Sequence, residues 1–392
     1  MRVLCSTTPM EGVFGPFLPL GRALIEQGDE LIIATGPDLP TRAGTNGMRF
    51  APAGLSAMDG AMAAMGDAEV QAAPPGDRVR FPAAMFGAVI PAAKLPALRT
   101  LAASWRPDLI VHPPVDLAGP LLAAELGVPS VCYGFGQPFD ATVVEAIAVR
   151  VSPLWEAAAL VPDSHGGIYR GLYLDPCPPS LAVDDEVPAA DGVRRIRPEV
   201  PGDVSAALPA WARELGTRPV VYVSLGTAPQ FNQPASFAPL LDGLAGTEAE
   251  VVVTVSRLHD PDALGELGPT VHVEQWLPLA PLLARCDAVV CHAGTGTTLA
   301  SLAAGLPLVL IPQGADQFDN ARACQRAGAA RVLLGDQVTP NAVREAVDAV
   351  LPDASPERTA ARGLAAEIAA MPSSTEVAHT LKAFAERAHA AA

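Results

Sequence analysis

"CDAVVCHAGTGTTLASLAAGLPLVLIPQGADQFDNA", residues 286–321, decides the fold. Two short apolar, β-branched runs (AVVC and PLVLIP) flank an Ala/Leu segment with helical spacing, and a further amphipathic segment starts at Asp316. Strand, turn and helix, repeated, is the unit of a parallel sheet covered by helices. The first turn, HAGTGTT, is built from small residues. Gly294, Thr295, Gly296 and Thr297 let an anion approach the free N–H groups of the helix that follows, and the helix dipole favours negative charge there. His292 adds a donor beside the same point. No Lys follows the glycines and the GxGxxG spacing is missing, so neither a Walker loop nor a dinucleotide fingerprint is present. Read alone, a capped Gly-rich turn with a buried histidine accounts for the stretch equally well.

The same rhythm extends outward. PVVYVSLG (219–226), EVVVTV (250–255), HVEQW (272–276), DAVVCHAG (287–294) and PLVLIP (307–312) predict five strands with helices between them. Their ends carry Thr227, then Trp276 and Leu277, then the His292 turn, then Asp316 and Gln317. A hydroxyl, an aromatic face, an anion cradle and a carboxylate beside an amide make a complementary set. The last pair can accept from two hydroxyls and donate to a third, as sugars require.

Nearer the amino terminus, residues 2–6, 30–34, 48–52, 108–112 and 130–133 predict strands, with helices near 16–27, 83–104 and 116–126. Residues 176–218 are rich in Pro and charge and suit a surface linker. With 392 residues the chain exceeds one core. The expected fold class is α/β, two Rossmann-like doubly wound domains facing a central cleft, with boundaries at 1–200 and 219–373.

A net charge of −16 with no Lys/Arg cluster excludes nucleic acid and anionic membrane surfaces as partners. The cysteines, Cys5, Cys132, Cys177, Cys286, Cys291 and Cys324, lack CxxC spacing and read as reduced, buried thiols of a cytoplasmic protein. No amino-terminal leader pattern and no uninterrupted apolar run of membrane-spanning length is expected to insert into a bilayer.

The order SLGT, WLP, HAGTGTT, PxxxDQ resembles the donor signature of family 1 glycosyltransferases, especially those that decorate actinomycete natural products. From His292 to Asp316 is 24 positions, matching that family's His-to-acid spacing. The resemblance covers essentially the whole chain, including GxxGPxxPLGRAL and RPDLIVH near the start. It implies a glycosyltransferase B type fold, an inverting and metal-independent transfer from a nucleotide sugar to a hydrophobic aglycone, no cofactor, and a helix over 374–392 crossing back to the first domain. A homodimer stays open. Trp276 and Leu277 would meet the base, Thr227, His292 and the 294–297 backbone the diphosphate, and Asp316 and Gln317 the sugar. Plant members carry a ribose-binding Glu eight residues after the His. Ala300 stands there, which favours a dTDP-sugar over a UDP-sugar. The Asp184–Glu186 run is read as a solvated linker charge run and not as a metal motif.

The acceptor half departs from the pattern. The first loop, MEGVFGPFLPL (10–20), keeps its Gly and Pro but puts Val13 where the family's general base His stands, and Pro113 replaces the Asp that orients it. Asp116 and Glu11 are candidate relocated bases, with His112 a weaker one. An acceptor that needs little activation, or a donor-binding homologue that no longer transfers, are alternatives, as is a nucleotide-sugar epimerase on the same fold. Val13 and Phe14, with Phe81, Phe86, Trp155 and the Tyr169–Tyr173 segment, are candidate acceptor-pocket residues.

Overall fold

The protein is described by a computed structural model covering residues 1–39, 48–74, 76–182, 187–200, 207–228, 231–257 and 259–391. The Asp184–Glu186 run lies outside the described residues. The chain divides into two compact units. One holds Met1–Pro176, Asp184–Ile196 and Pro372–Ala392; the other holds Cys177–Val183 and Arg197–Met371.

Among the described residues, seven strands form the first unit's sheet: β1 (Arg2–Ser6), β2 (Glu30–Thr35), β3 (Arg49–Pro52), β4 (Leu109–His112), β5 (Ser130–Tyr133), β6 (Leu172–Asp175) and β7 (Val193–Arg195). Their order is β3-β2-β1-β4-β5-β6-β7, every pair parallel, with Leu4 opposite both Ile32 and Ile110. Central strands such as β4 and β5 are buried throughout, as parallel strands covered on both faces must be. Two strands escape the sequence reading. Tyr173, taken there as a pocket aromatic, lies within β6 and is buried. β7 falls inside the expected linker; its three residues are flanked by Pro and charge, and they pair with β6 as a short edge strand.

Helices begin and end where local chemistry allows. Pro19 sits in the first turn of Leu18–Glu26, and Gly127 (φ 67°) closes Ala118–Leu126. The helical run Arg80–Trp105 is long and apolar enough to cross a membrane by length and composition, contrary to the sequence reading. About half of its most apolar window is buried inside the protein, and it carries the buried Lys94, as a core helix does. Its Ala83–Val89 turn is a π-helix just before Pro91, whose missing N–H cannot continue the α-helical ladder. The carboxyl-terminal helix Ser374–Ala391 belongs to this unit, packing Val377, Leu381 and Ala385 with Phe17, Leu20 and Leu24.

Among the described residues, the second unit's sheet has six strands: β8 (Val220–Ser224), β9 (Glu250–Thr254), β10 (Val271–Glu274), β11 (Ala288–Cys291), β12 (Leu308–Leu310) and β13 (Ala330–Val332). Its order is β10-β9-β8-β11-β12-β13, again all parallel. β13 was not anticipated, being three residues long. In each sheet the chain starts at a central strand, builds to one side and then returns to the other. Each sheet therefore has a topological switch point, β1/β4 in the first and β8/β11 in the second, where open α/β sheets bind ligands at the carboxyl edge.

Candidate active site

At the β8/β11 switch point, the turns after both strands close around His292. A Cβ added at Gly226 (φ 85°) would sit 2.4 Å from His292 Nε2, and one at Gly294 2.3 Å from it. Only glycine on either side lets the ring lie there. The ring is buried, its Nδ1 has no hydrogen-bond partner, and burial lowers its pKa to about 4. It is therefore a neutral imidazole at pH 7.

Gly294 is also the N-cap of the helix Thr295–Ala303, and it brings no side-chain cap. The N–H groups of Thr295, Gly296 and Thr297 are left without partners, and a Cβ at Gly296 would meet only open space. Ala293 adopts φ 64°, costly for a residue with a Cβ. Ser256 (φ 72°) and Ala315 (φ 52°) share that strain, and all three lie in turns after strands of this sheet. Strained backbone concentrated at one sheet edge marks a functional surface.

The turn after β12 supplies the carboxylate. Asp316 Oδ2 accepts from Thr295 Oγ1 (2.8 Å) and Asn320 Nδ2 (2.9 Å). The same Asn320 Nδ2 lies 3.0 Å from the Ala293 carbonyl and 2.9 Å from Thr295 Oγ1. This network ties the His292 turn to the Asp316 turn. Burial raises the Asp316 pKa, and the two donors oppose it. Gln317 differs from expectation: its Oε1 already accepts from the Gln313 (2.8 Å) and Gly314 (3.1 Å) N–H groups, so only its Nε2 can donate to a ligand. Asn320 was missed, although its place one helical turn after Asp316 was legible.

The remaining donor candidates flank this centre. Thr227 is exposed in the turn after β8. Trp276 is 50 % exposed beyond β10, with Arg257 Cζ stacked 4.3 Å from its ring centroid. Leu277 buries its side chain in the core while its backbone N–H and C=O stay unpaired. Ala300 is buried and apolar.

The β1/β4 switch point is built differently. Asp116 is fully buried and accepts from Lys94 Nζ (2.5 Å), Ser6 Oγ (3.0 Å) and the Gly119 N–H (3.1 Å). Lys94 Nζ also donates to the Thr7 carbonyl (2.5 Å). A general base must offer a lone pair to its substrate; both oxygens of Asp116 are engaged inside the fold, so here it anchors the switch point. His112 is buried with its pKa lowered to about 4 by burial. Phe14, expected on a pocket wall, is core instead, its ring 6.0 Å from Phe50 and 6.2 Å from Phe17. Trp155, Tyr169 and Tyr173 are likewise core, whereas Phe81 and Phe86 are half-buried around Met85 and Ile90. Val13 is buried, and Glu11, in the first turn of the same short helix, is half-buried, its carboxylate without a partner among the described residues. The enclosed space beside Lys94, Thr7 and Thr8 is about 10 Å³, room for one water molecule and not an aglycone. Among the described residues no cluster of His, Cys, Asp and Glu is placed to hold a metal, and all six cysteines are buried and outside any disulfide.

Comparison with known proteins identifies the family and the fold. Residues 81–226 match the family described as Erythromycin biosynthesis protein CIII-like, N-terminal domain, and residues 238–384 match its C-terminal domain. The L-demethylnoviosyl transferase of Streptomyces niveus is 32% identical over 98% of this chain and 98% of its own length. The elloramycin glycosyltransferase of Streptomyces olivaceus is 33% identical over 92% of this chain and 96% of its own. Among solved structures, the glycosyltransferase SnogD from Streptomyces nogalater is 28% identical, with a TM-score of 0.76 over 98% of this chain and 99% of its own. The spinosyn rhamnosyltransferase SpnG is 26% identical, with a TM-score of 0.81 over 97% and 100%. The two parallel α/β units are thus those of a glycosyltransferase B fold, and the protein is a nucleotide-sugar-dependent glycosyltransferase. It belongs to the Erythromycin biosynthesis protein CIII-like family, the actinomycete natural-product glycosyltransferases of family 1.

Proposed function

We propose that the protein moves a deoxysugar from a dTDP-sugar to a hydrophobic aglycone, with inversion and without a metal. The observation that carries this reading is the uncapped helix start at Gly294 beside His292, joined through Thr295 and Asn320 to Asp316. The diphosphate lies against the N–H groups of Thr295, Gly296 and Thr297, with His292 and Thr227 as further donors. As the bond to the anomeric carbon breaks, these preorganised groups stabilise the charge growing on the leaving diphosphate. That is the task a metal ion performs in other transferases. The Asp316 carboxylate and Gln317 Nε2 orient sugar hydroxyls, and Trp276 with the Leu277 backbone receives the base.

A thymidine donor is supported by apolar Ala300, which offers no carboxylate to a ribose hydroxyl, and by the solved complex of SpnG with thymidine diphosphate. A large apolar acceptor is supported by the SpnG complex with spinosyn aglycone and by the half-buried rings of Phe81 and Phe86. With Val13 unable to take a proton and Asp116 held by Lys94, Glu11 is the base, its carboxylate unpartnered on the first loop. Six buried thiols outside any disulfide support a reducing cytoplasmic setting.

The test is transfer to an aromatic polyketide aglycone from dTDP- and UDP-sugars carrying the same sugar. A higher kcat/KM with dTDP and product of inverted anomeric configuration in EDTA support the reading; equal rates, retention or EDTA sensitivity contradict it. Glu11→Gln should lower kcat by about 10²-fold or more with the donor KM unchanged, and a wild-type rate removes Glu11 from the mechanism.

A further inference from the structure

The diphosphate of the proposed donor carries more than one negative charge, yet the groups assigned to it are neutral. His292 is an uncharged imidazole at pH 7, and the backbone amides and Thr227 bring only dipoles. The loops after β8, β9, β10, β11 and β12 contain one Lys or Arg between them, Arg257. In a chain of net charge −16, a cation placed alone at this edge faces no pressure from basic neighbours. Its position is informative too. Arg257 leaves β9, and the sheet order β10-β9-β8-β11 puts that strand between the one carrying Trp276 and the pair that forms the anion cradle. The side chain is exposed, is stacked on the Trp276 ring, and has no ion-pair partner among the described residues. It also follows Ser256, one of the strained left-handed residues of this edge.

The geometry points to Arg257 as the cation that neutralises the donor's diphosphate, parked on the indole of Trp276 until the nucleotide arrives. A planar guanidinium stacks on an indole through dispersion and the ring quadrupole, a contact that keeps it desolvated on one face and leaves its N–H edge free. When a pyrimidine takes the indole face, the guanidinium swings toward the phosphates and donates two N–H groups to their oxygens, the pairing for which its fork is suited. This inference rests on Trp276 as the base platform.

The experiment measures dTDP and thymidine binding by calorimetry at two salt concentrations, in wild type, Arg257→Ala, Arg257→Lys and Trp276→Ala. Arg257→Ala should weaken dTDP by about tenfold or more and flatten its salt dependence, while thymidine changes less than about twofold. Arg257→Lys should restore the salt dependence and part of the affinity. Equal weakening of dTDP and thymidine would show that Arg257 only braces the indole, and unchanged dTDP binding would show that it does nothing; either overturns the proposal. Trp276→Ala separates the two readings. If it leaves thymidine and dTDP binding unchanged, the base platform itself is wrong, whereas its loss of thymidine binding with a silent Arg257→Ala removes Arg257 alone. Both side chains are solvent-exposed, so an unchanged melting temperature verifies that each variant is folded.

Discussion

The two sheets reach the same topological junction and fill it with opposite chemistry. At β1/β4 the chain supplies its own anion: Asp116 accepts from the Gly119 N–H at the start of the helix Ala118–Leu126 and is matched by Lys94. At β8/β11 the equivalent helix start has glycine at its cap, three free N–H groups and an uncharged histidine. A helix amino terminus attracts negative charge in either case. Where that charge belongs to the protein, the junction is locked; where it is withheld, the junction is left open to an anion, as the proposed donor site requires.

The largest way to break this contrast is to remove the internal anion. Asp116→Ala leaves Lys94 buried and unpaired and should cost about 3–5 kcal/mol of stability, seen as a lowered urea midpoint. Replacing both partners, Lys94→Met with Asp116→Leu, should recover most of it. If Asp116→Ala instead kept full stability and lost only turnover, Asp116 would be catalytic after all.

The next effect comes from pH. His112 and His292 are both held near pKa 4 in the fold against about 6.5 unfolded. Between these values the unfolded chain takes up protons that the native protein refuses, so stability falls as pH falls. The slope is about 1.4 kcal/mol per pH unit for each histidine. Above pH 6.5 neither contributes. Urea melts at pH 7, 6 and 5 measure this, and His112→Asn should remove one share. Saturating dTDP sharpens the comparison: its charge favours protonated His292, so the ligand should shrink that share and leave the share of His112 intact. Equal slopes with and without dTDP would place the anion away from His292.

A smaller loss is expected from Asn320→Ala. It leaves the Ala293 carbonyl and Asp316 Oδ2 short of a donor, for about 1–3 kcal/mol. The donor KM should rise with it if, as proposed, the network links the turn that holds the diphosphate to the carboxylate that holds the sugar. A raised kcat with unchanged KM would contradict that link.

Much of the second unit was legible in the sequence because its candidate site sits in contiguous turns. A strand, a small-residue turn and a helix start place His292, Gly294 and Thr295 within a few residues, so local pattern and site coincide. What escaped depended on partners distant in sequence. Lys94 reads as an oddity in an apolar helix until Asp116 meets it, and Asp116 looks available until Lys94, Ser6 and Gly119 engage both oxygens. Arg257 stacks on a residue one strand away and carries no local signature. β7 and β13 are three-residue edge strands, which owe their existence to the strand beside them and not to their own periodicity. Phe14 was assigned to a pocket by its place in a loop, yet its ring turns inward to Phe17 and Phe50.

The central claim is that the space between Gly226 and Gly294 holds His292 against a nucleotide diphosphate. Calorimetric titration of dTDP into wild type and Gly294→Ala tests it most directly, since the added Cβ would sit 2.3 Å from Nε2 and must displace the ring. Wild type should bind one dTDP per chain, and Gly294→Ala, still folded at the assay temperature although the overpacking lowers its melting temperature, should bind it about tenfold more weakly or worse. Equal affinity in the two proteins, or no binding by wild type, would contradict the account.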